Sequence, residues 1–207
     1  MIQCKSFDSP CVLVHGGTGN FDDALIVEKL TSCKTAASVA YQSLLNGANS
    51  IGAVEAALRW LECDEFFNCG YGSLLNELGD VQMDATIVNG LKVECGSVAA
   101  VSDVEHPISL ARYVLDNFPD SIVVGQGARK LAEHANLNCL SEGNMTAPAA
   151  RLAYKLRKTD GSCCCTDSCT NNLEKLQCTD LIESKRCRLE VLLLFLAFIS
   201  DLARETN

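Results

Sequence analysis

The sequence lacks the features that would direct a chain to a membrane or to nucleic acid. Its apolar run Val191–Ile199 has nine residues, whereas a helix that crosses a bilayer needs about twenty. Its 17 Lys and Arg residues are outnumbered by 26 Asp and Glu residues, and the net charge is −9. Nonspecific nucleic-acid binding requires clustered cations, so we expect neither nucleic acid nor membrane as a partner.

A recognisable secretory signal and paired zinc-ligand cysteines are also absent. Met1–Pro10 contains Lys5 and Asp8 and has no apolar core, so it does not resemble a signal peptide. We therefore expect a cytoplasmic protein whose thirteen cysteines are mostly free thiols. No C-x2-C pair occurs, although that pair is typical of zinc sites.

The length and composition of the chain predict a folded protein of one domain or two. The chain has 207 residues, of which 48% are hydrophobic, which is enough for a substantial core. Its character changes after Asp160, so we predict a region 1–160 and a divergent, cysteine-rich tail 161–207. Val191–Ile199 in that tail predicts a short apolar helix docked on exposed core, or an aggregation-prone segment.

The tail cysteines allow two interpretations. Thiolates suit Zn²⁺, but the spacings in the tail fit no common zinc site. We therefore favour an irregular cysteine-rich segment over a metal site. The cysteines concerned are Cys163, Cys164, Cys165, Cys169, Cys178 and Cys187.

The apolar pattern near the start of the chain predicts one strand and two helices. Cys11–Val14 is a short β-prone run that leads into glycines. A first helix is predicted from Asp22 or Asp23 to Leu45, because apolar residues recur there at steps of three and four. Its predicted buried stripe comprises Ile26, Leu30, Cys33, Ala37, Ala40 and Leu44. A second helix is predicted with Ser50 as its cap and with Ile51, Val54, Leu58 and Leu61 on its buried face.

The stretch from Phe66 to Val101 predicts a glycine loop that feeds a β-hairpin. Gly70 and Gly72 can both adopt positive φ without steric cost. The first strand, Gln82–Val88, is bounded by Asn89-Gly90, which is typical of a two-residue type I′ turn, and Lys92–Val101 follows as the second strand. Alternation places one set of side chains on a common face: Val81, Met83, Ala85 and Ile87.

Beyond the hairpin, the pattern predicts a helix, a strand and two further helices. Pro107 suits the first turn of a helix that runs through Asn117. A strand is predicted at Ser121–Val124, and helices are predicted at Gly127–Ala135 and Ala149–Lys158. Helices packed on a sheet in this order indicate the α+β class.

Three motifs resemble one family of enzymes. From Phe67 the sequence F-N-C-G-Y-G-S-L-L-N-x-x-G-x-V-Q-M-D-A-T-I-V-N-G is similar to F-N-A-G-x-G-S-V-L-N-x-x-G-x-V-E-M-D-A-S-I-M-D-G of the plant-type L-asparaginase/isoaspartyl peptidase family. H-P-I-S-L-A-R at His106–Arg112 resembles the family's N-P-I-S-L-A-R, and V-H-G-G-T-G at Val14–Gly19 resembles V-H-G-G-A-G. These enzymes are N-terminal-nucleophile hydrolases, and the resemblance is clear over roughly residues 11–135.

The resemblance implies a partial αββα sandwich, with residues 1–160 as an α-subunit-like portion. It implies hydrolysis of the asparagine side-chain amide or of isoaspartyl peptide bonds, with small-molecule or dipeptide substrates. Gly16, Gly17 and Gly19 would line the site and Asn68 would lie near the nucleophile, although residues of these types also form ordinary turns. Asp84 is expected to shape the loop by hydrogen bonding, with acid–base work as the alternative.

The resemblance also implies a structural sodium ion, the only cofactor expected. Leu61–Tyr71 has the length of the family loop that wraps Na⁺ with main-chain carbonyls, and carbonyl ligands leave the side chains free to vary. An ordinary turn without an ion is the alternative. Carried over by position, the ligands would be the carbonyl oxygens of Leu61, Glu62, Asp64, Phe67, Cys69 and Tyr71.

The chain departs from the family pattern where the nucleophile is expected. In the family, autocleavage before the Thr of a G-T-V-G-x-V motif frees an amine that acts as base for the hydroxyl of the same residue. No G-T-V-G occurs in these 207 residues, and Thr166, Thr170 and Thr179 lack a glycine-flanked, strand-like context. We therefore expect no catalytic residue, no autoprocessing and no turnover by this chain alone.

Two other interpretations of the chain stay open. It could act as an interaction protein that pairs an open sheet with a full-length homologue or a separate β-like chain. It could instead be a relative of the threonine protease taspase, although the M-D-A-T and P-I-S-L-A-R motifs resemble the asparaginase branch more closely.

Overall fold

A computed structural model of the chain describes residues 10–17 and 23–160. The tail 161–207, with its cysteines, threonines and predicted apolar helix, lies outside the described residues. The mixture of helices and one sheet confirms the α+β class. In chain order the elements are α1 (Asp23–Leu45), α2 (Ser50–Glu62), β1 (Met83–Asn89), β2 (Glu94–Val101), α3 (Pro107–Asn117), β3 (Ile122–Val124), α4 (Gly125–His134) and α5 (Pro148–Asp160).

The three strands form one sheet in the order β1-β2-β3. β1 and β2 are the predicted antiparallel hairpin, and β3 runs parallel to β2. α3 packs on β1 and β2, α4 packs on β2 and β3, and α1 packs along α2. The alternation predicted for β1 is confirmed, because Val81, Met83 and Ile87 are buried while Asp84 and Thr86 are exposed.

The predicted two-residue turn of the hairpin is wrong. The last paired residues are Asn89 and Glu94, so four residues form the loop, and its positive φ of 57° lies at Val93. The reason lies in the Asn89 side chain, whose Oδ1 accepts the N–H groups of Leu91 and Lys92 at 3.1 and 3.2 Å. These bonds guide the chain around a wider loop than a type I′ turn allows.

The cap predicted for the second helix is also wrong by one residue. Asn49, rather than Ser50, is the N-cap, and its Oδ1 accepts the Gly52 N–H at 2.9 Å. A side-chain oxygen at this position satisfies one of the N–H groups that the first helical turn leaves without a partner. Asn and Ser are both good caps, so their adjacency in the sequence leaves the choice open.

The buried stripe predicted for α1 is only partly confirmed. Ala40 is buried, but Ile26 and Leu30 are 38% and 54% exposed. The residues that become buried on this helix, Ser32 and Ala36 among them, are small, and small side chains allow α2 to approach closely. Close packing against α2 therefore fixes the buried face in the middle of α1.

The strand predicted at Cys11–Val14 does not form in the described part of the chain. Val12 and Val14 still pack against the main core, and burial alternates from residue to residue as it would in a strand. A strand requires a hydrogen-bonded neighbour, and no described strand pairs with this segment.

The core consists of two clusters of buried side chains. The larger joins α1, α2, α3 and the sheet, and its fully buried members include Leu61, Phe67 and Ile87. Each such side chain contributes about 1.5–3 kcal/mol on leaving water. The smaller cluster lies beneath α5 and includes Met83 and Met145. No helix in the described residues is long and apolar enough to cross a membrane.

Candidate active site

The first glycine motif contacts the second one in space. A Cβ added to Gly16 would lie 2.7 Å from Phe67 Cε1 and 2.7 Å from Cys33 Sγ, so only glycine fits at this position. Gly17 has a φ of +90°, and its N–H donates to His15 Nδ1 at 3.2 Å. Segments that are fifty residues apart in the sequence therefore meet beside Phe67. Gly19 lies outside the described residues.

Asn68 follows Phe67 directly and is anchored at one end of its side chain. Its Oδ1 accepts the Leu74 N–H at 2.9 Å, and the residue is half-buried. This bond spans the glycine turn and fixes the orientation of the carboxamide. The Asn68 amide group is consequently held on the same loop that contacts Gly16.

Two glycines let the backbone coil tightly after Asn68. Gly70 has a φ of +54°, and a Cβ there would overlap the main chain of Glu62. A Cβ on Gly72 would overlap the Phe67 carbonyl and lie 2.8 Å from the Asp64 and Glu65 carbonyl oxygens. The turn itself is a short 3₁₀ segment, Gly70–Gly72. Carbonyl oxygens are thus gathered around both glycines, as a loop that wraps a cation requires.

Two of the six predicted sodium ligands are brought together at Gly72, and one further oxygen joins them. The carbonyls of Asp64 and Phe67 converge at Gly72 together with that of Glu65, which the sequence did not indicate. The Leu61 carbonyl accepts the Asp64 N–H at 3.1 Å, and the Cys69 carbonyl accepts the Gly72 N–H at 3.1 Å. A carbonyl oxygen has two lone pairs, so the bond from Gly72 leaves one on the Cys69 carbonyl for a cation. The Leu61 carbonyl also accepts the Cys69 thiol at 3.4 Å, so both of its lone pairs are already used.

The donors gathered in this loop are main-chain oxygens, which suit a hard cation. In the part of the chain that the structure describes, no group of three or more His, Cys, Asp or Glu side chains could hold a metal ion. An ion in the loop would therefore depend on main-chain oxygens, which fit Na⁺ or Ca²⁺ better than a transition metal.

Side chains from α1 and α2 hold the loop in place, and sequence reasoning missed them. The Asp64 carboxylate accepts the Ser32 hydroxyl through Oδ2 and the Phe66 N–H at 3.0 Å through Oδ1. Trp60 Nε1 donates to the Ser32 hydroxyl at 3.2 Å. Because partners such as Ser32 and Asp64 are 32 residues apart in the sequence, no local pattern predicts their pairing.

Lys29 also reaches this loop from α1. Its Nζ donates to the Phe66 carbonyl and lies 4.6 Å from the centroid of the Phe67 ring, within cation–π range. Burial lowers the pKa of Lys29, against the opposing charges of Cys33, Cys69 and Asp64. Burial likewise raises the pKa of the Cys69 thiol, with Glu62 and Asp64 adding to the effect. The loop therefore disfavours charge on these groups.

Glu62 fastens the end of α2 to the start of α3. Its Oε1 accepts the Ile108 N–H at 2.9 Å, and its Oε2 lies 3.0 Å from His106 Nδ1. His106, the residue before Pro107, makes no capping hydrogen bond with its side chain. Glu62, which is remote in the sequence, therefore accepts one of the N–H groups in the first turn of α3. Burial raises the pKa of Glu62, and the bonds from His106 and Ile108 oppose that shift.

Asp84 supports an irregularity in the hairpin. Between the pairs Met83–Val101 and Ala85–Val98, β2 contains one residue more than β1, which is a β-bulge. Ala100 in the bulge has a φ of +52°, and its N–H donates to Asp84 Oδ1 at 2.7 Å. The carboxylate therefore bonds an N–H that the bulge removes from the strand ladder.

A cleft of about 720 Å³ lies elsewhere, between the hairpin loop, the start of α2 and the end of α3. Lys92, Glu94, Arg112 and Asp116 bring charges of both signs to its lining, and none of the predicted site residues contributes. We place the candidate site at the glycine loop, because Gly16 meets the segment of Asn68 there through Phe67, whereas Asp84 lies at the hairpin bulge.

Comparison with known proteins shows similarity to one family and to several of its members. The family model described as asparaginase matches residues 8–176. A probable isoaspartyl peptidase/L-asparaginase of Drosophila melanogaster is 35% identical over 151 residues, which are 70% of this chain and 46% of that protein. The isoaspartyl peptidase/L-asparaginase of Bos taurus is 42% identical over 125 residues, which are 60% of this chain and 41% of that protein.

A plant relative shows a similar match. A probable isoaspartyl peptidase/L-asparaginase of Arabidopsis thaliana is 40% identical over 128 residues, which are 58% of this chain and 38% of that protein. The chain therefore spans less than half the length of these curated relatives.

Proposed function

The chain belongs to the asparaginase family, and on that premise we propose that it supplies the α-subunit-like portion of an isoaspartyl peptidase/L-asparaginase. The reaction of the complete fold is hydrolysis of the asparagine side-chain amide or of an isoaspartyl peptide bond, within an αββα sandwich. The observation that carries this proposal is the contact of Gly16 with Phe67, because it joins the two motifs that would flank the reacting group.

The described residues would support the reaction rather than perform it. Asn68, held through Oδ1 by the Leu74 N–H, would present its NH₂ group toward the nucleophile. Gly16, Gly17 and Gly19 would line the site beside it, and Gly16 would let this segment approach Phe67 closely, because any Cβ there would overlap Phe67 and Cys33. Asp84 would act indirectly, by fixing the bulge at Ala100.

The loop from Leu61 to Tyr71 would hold a structural Na⁺ through its carbonyl oxygens. The support is the gathering of the Asp64, Glu65 and Phe67 carbonyls around Gly72, where no side chain could be accommodated. The ion would stabilise the turn that carries Asn68 and would take no part in the chemistry. Its role is therefore to keep the site in shape.

Activity would require a threonine at a new chain start, and this sequence contains no G-T-V-G motif to provide one. A residue that serves as both nucleophile and base needs its own free α-amine. We therefore infer that the 207-residue chain alone neither cleaves itself nor turns over substrate. We also propose a cytoplasmic location, where the thirteen cysteines would stay free thiols.

A chimera tests the proposal directly. Residues 1–160 of this chain would be followed by the C-terminal half of the Drosophila melanogaster relative, and ammonia release from asparagine and cleavage of an isoaspartyl dipeptide would be measured. We expect a processed, active chimera, with Asn68→Ala lowering activity by about 10²-fold or more. The variant Asn138→Ala is the matched control and should retain activity, because Asn138 is exposed and its side chain bonds Glu105. An inactive but folded chimera would count against the proposal.

A second candidate function is that of an interaction partner. Within the residues that the structure describes, β3 is an edge strand, and its Ile122 and Val124 are 56% and 57% exposed. An exposed apolar edge favours strand addition. A full-length homologue or a separate β-like chain would be the partner. Co-elution of the purified chain with the Drosophila melanogaster relative tests this, and Val124→Lys should abolish it; separate elution at micromolar concentrations would contradict it.

A further inference from the structure

The sequence contains two asparagines that are followed by glycine, Asn46-Gly47 and Asn89-Gly90. In the folded chain the hydrogen bonds around the two sites differ. We propose that Asn89 is a deamidation site and that the fold makes it convert to aspartate and isoaspartate faster than Asn46. The glycine after each asparagine offers no Cβ to hinder the reaction, so the intrinsic reactivity of the two sites is comparable. The difference lies in the surroundings of the reacting atoms.

The reaction needs only solvent. A base removes the Gly90 amide proton, the Gly90 nitrogen attacks Cγ of Asn89, and the new N–Cγ bond closes a five-membered imide. The Cγ–Nδ2 bond breaks, and the Nδ2 group leaves with a proton as ammonia. Water then opens the imide at one of its two carbonyls, which gives aspartate or isoaspartate at position 89.

The hairpin loop stabilises the charge that develops in this step. When the nitrogen attacks Cγ, negative charge accumulates on Oδ1. In the folded chain the N–H groups of Leu91 and Lys92 already point at Asn89 Oδ1, at 3.1 and 3.2 Å. Two preorganised backbone donors at a developing oxyanion lower the barrier of an acyl-transfer step. They also hold the side chain folded over the following peptide unit.

The nitrogen that attacks is accessible at Asn89 and restrained at Asn46. Gly90 is exposed, and among the described residues its N–H donates to no backbone carbonyl. By contrast, the Gly47 N–H donates to the Leu44 carbonyl at 3.0 Å, at the end of α1, and Gly47 has a φ of +92°. A base must therefore break a hydrogen bond before the Gly47 nitrogen can react.

Conversion at Asn89 would change the end of the hairpin. Asn89 pairs with Glu94 in the last rung of the β1–β2 ladder, and an isoaspartate inserts one extra atom into the main chain there. The new carboxylate would lie at the rim of the 720 Å³ cleft, which Asn89, Lys92 and Glu94 line. We therefore expect the product to have a looser hairpin loop.

The test is a time course on the purified 207-residue chain in mildly alkaline buffer. Peptide mass spectrometry with a fragmentation method that separates isoaspartate from aspartate would follow both sites. We expect Asn89 to convert at least about tenfold faster than Asn46 in the folded chain. In concentrated urea the two rates should agree within about threefold, because the fold no longer distinguishes them.

Three results would overturn the proposal. These are equal rates at the two sites in the folded chain, faster conversion of Asn46, and a tenfold preference for Asn89 that persists in urea. The last result would assign the difference to the neighbouring residues in the sequence rather than to the hairpin loop.

Discussion

Glu62 and His106 lie 44 residues apart in the chain, yet Glu62 Oε2 and His106 Nδ1 are 3.0 Å apart in the folded protein. Both side chains are largely buried, with 7% and 12% exposure. The second oxygen of Glu62 bonds the Ile108 N–H. One carboxyl group thus joins the start of the glycine loop to the first turn of α3, so the site and the helix behind it depend on each other.

The raised pKa of Glu62 predicts a stability that falls with pH. Because burial raises the pKa of Glu62 above its usual 4.5, the folded state binds the proton more tightly than the unfolded state. This contribution is fully present below pH 4.5 and is lost as pH rises through the raised pKa. Glu62→Gln removes the titration and keeps an acceptor for the Ile108 N–H. Its stability relative to the wild type should therefore increase with pH in urea denaturation.

Glu62→Ala provides the control for that experiment. It removes the titrating group as Glu62→Gln does, so the two variants should show the same pH dependence. It also leaves the buried Ile108 N–H without its acceptor, which costs about 1–3 kcal/mol. A free energy of unfolding that declines with pH in parallel for the wild type and Glu62→Gln would contradict this assignment.

Because carbonyl oxygens crowd around Gly72, we expect a single added methyl group to lower the stability of the fold. Gly72→Ala should destabilise the fold by about 1–3 kcal/mol, because its Cβ would overlap the Phe67 carbonyl. Gly127→Ala is the matched control: its Cβ would meet only Val123 Cγ1, at 3.9 Å, and should stabilise α4 by roughly 0.5–1 kcal/mol. Thermal denaturation distinguishes the two outcomes.

The same pair of variants tests the proposed sodium ion. The wild type and Gly127→Ala should melt at a higher temperature in sodium chloride than in tetramethylammonium chloride at equal ionic strength. Gly72→Ala should lose that difference, since its methyl group would occupy the space among the carbonyls. An identical melting temperature of the wild type in both salts would rule out an ion that stabilises the fold.

Two substitutions of Asp84 should lower the stability of the fold by different amounts. Asp84→Ala removes the acceptor of the Ala100 N–H and should cost about 1 kcal/mol. Asp84→Asn keeps an oxygen at that position and should cost less than half as much. Urea denaturation of both variants provides the measurement, and equal losses would show that the hydrogen bond to the bulge is not what Asp84 contributes to stability.

Cys69 should be the least reactive thiol of the glycine loop. Burial raises the pKa of Cys69, with Glu62 and Asp64 contributing, and its Sγ donates to the Leu61 carbonyl at 3.4 Å. Cys63 is exposed, so iodoacetamide should alkylate Cys63 faster than Cys69 in the folded chain. Site-resolved mass spectrometry gives both rates, and the two should converge in urea. Faster alkylation of Cys69 would contradict the protection that its partly buried position and raised pKa give the thiol.

Local signals in the sequence predicted most of the elements. The steps of three and four that end before Gly47 gave α1 its correct end, and Pro107 marked the first turn of α3. Alternation through Val81, Met83 and Ile87 gave β1 its buried face. Each of these signals depends on residues within a few positions of one another, which is the range over which helix and strand periodicity acts.

Features that depend on distant contacts could not be predicted from such signals. The sequence does not show that Lys29 donates to the Phe66 carbonyl or that Glu62 caps α3, because these partners meet only in the folded chain. Ile26 and Leu30 fit a buried stripe by spacing, but their exposure depends on where α2 packs. The hairpin loop differs from the predicted turn because a side-chain acceptor at Asn89 competes with the backbone.

The central proposal adds to the family membership the inference that this chain supplies no threonine nucleophile. Intact-mass spectrometry of the purified 207-residue protein, incubated with asparagine while ammonia is measured, tests both parts in one sample. We expect a single polypeptide of undivided mass and no ammonia above the protein-free blank. A second fragment that begins with threonine, accompanied by ammonia release, would contradict the proposal.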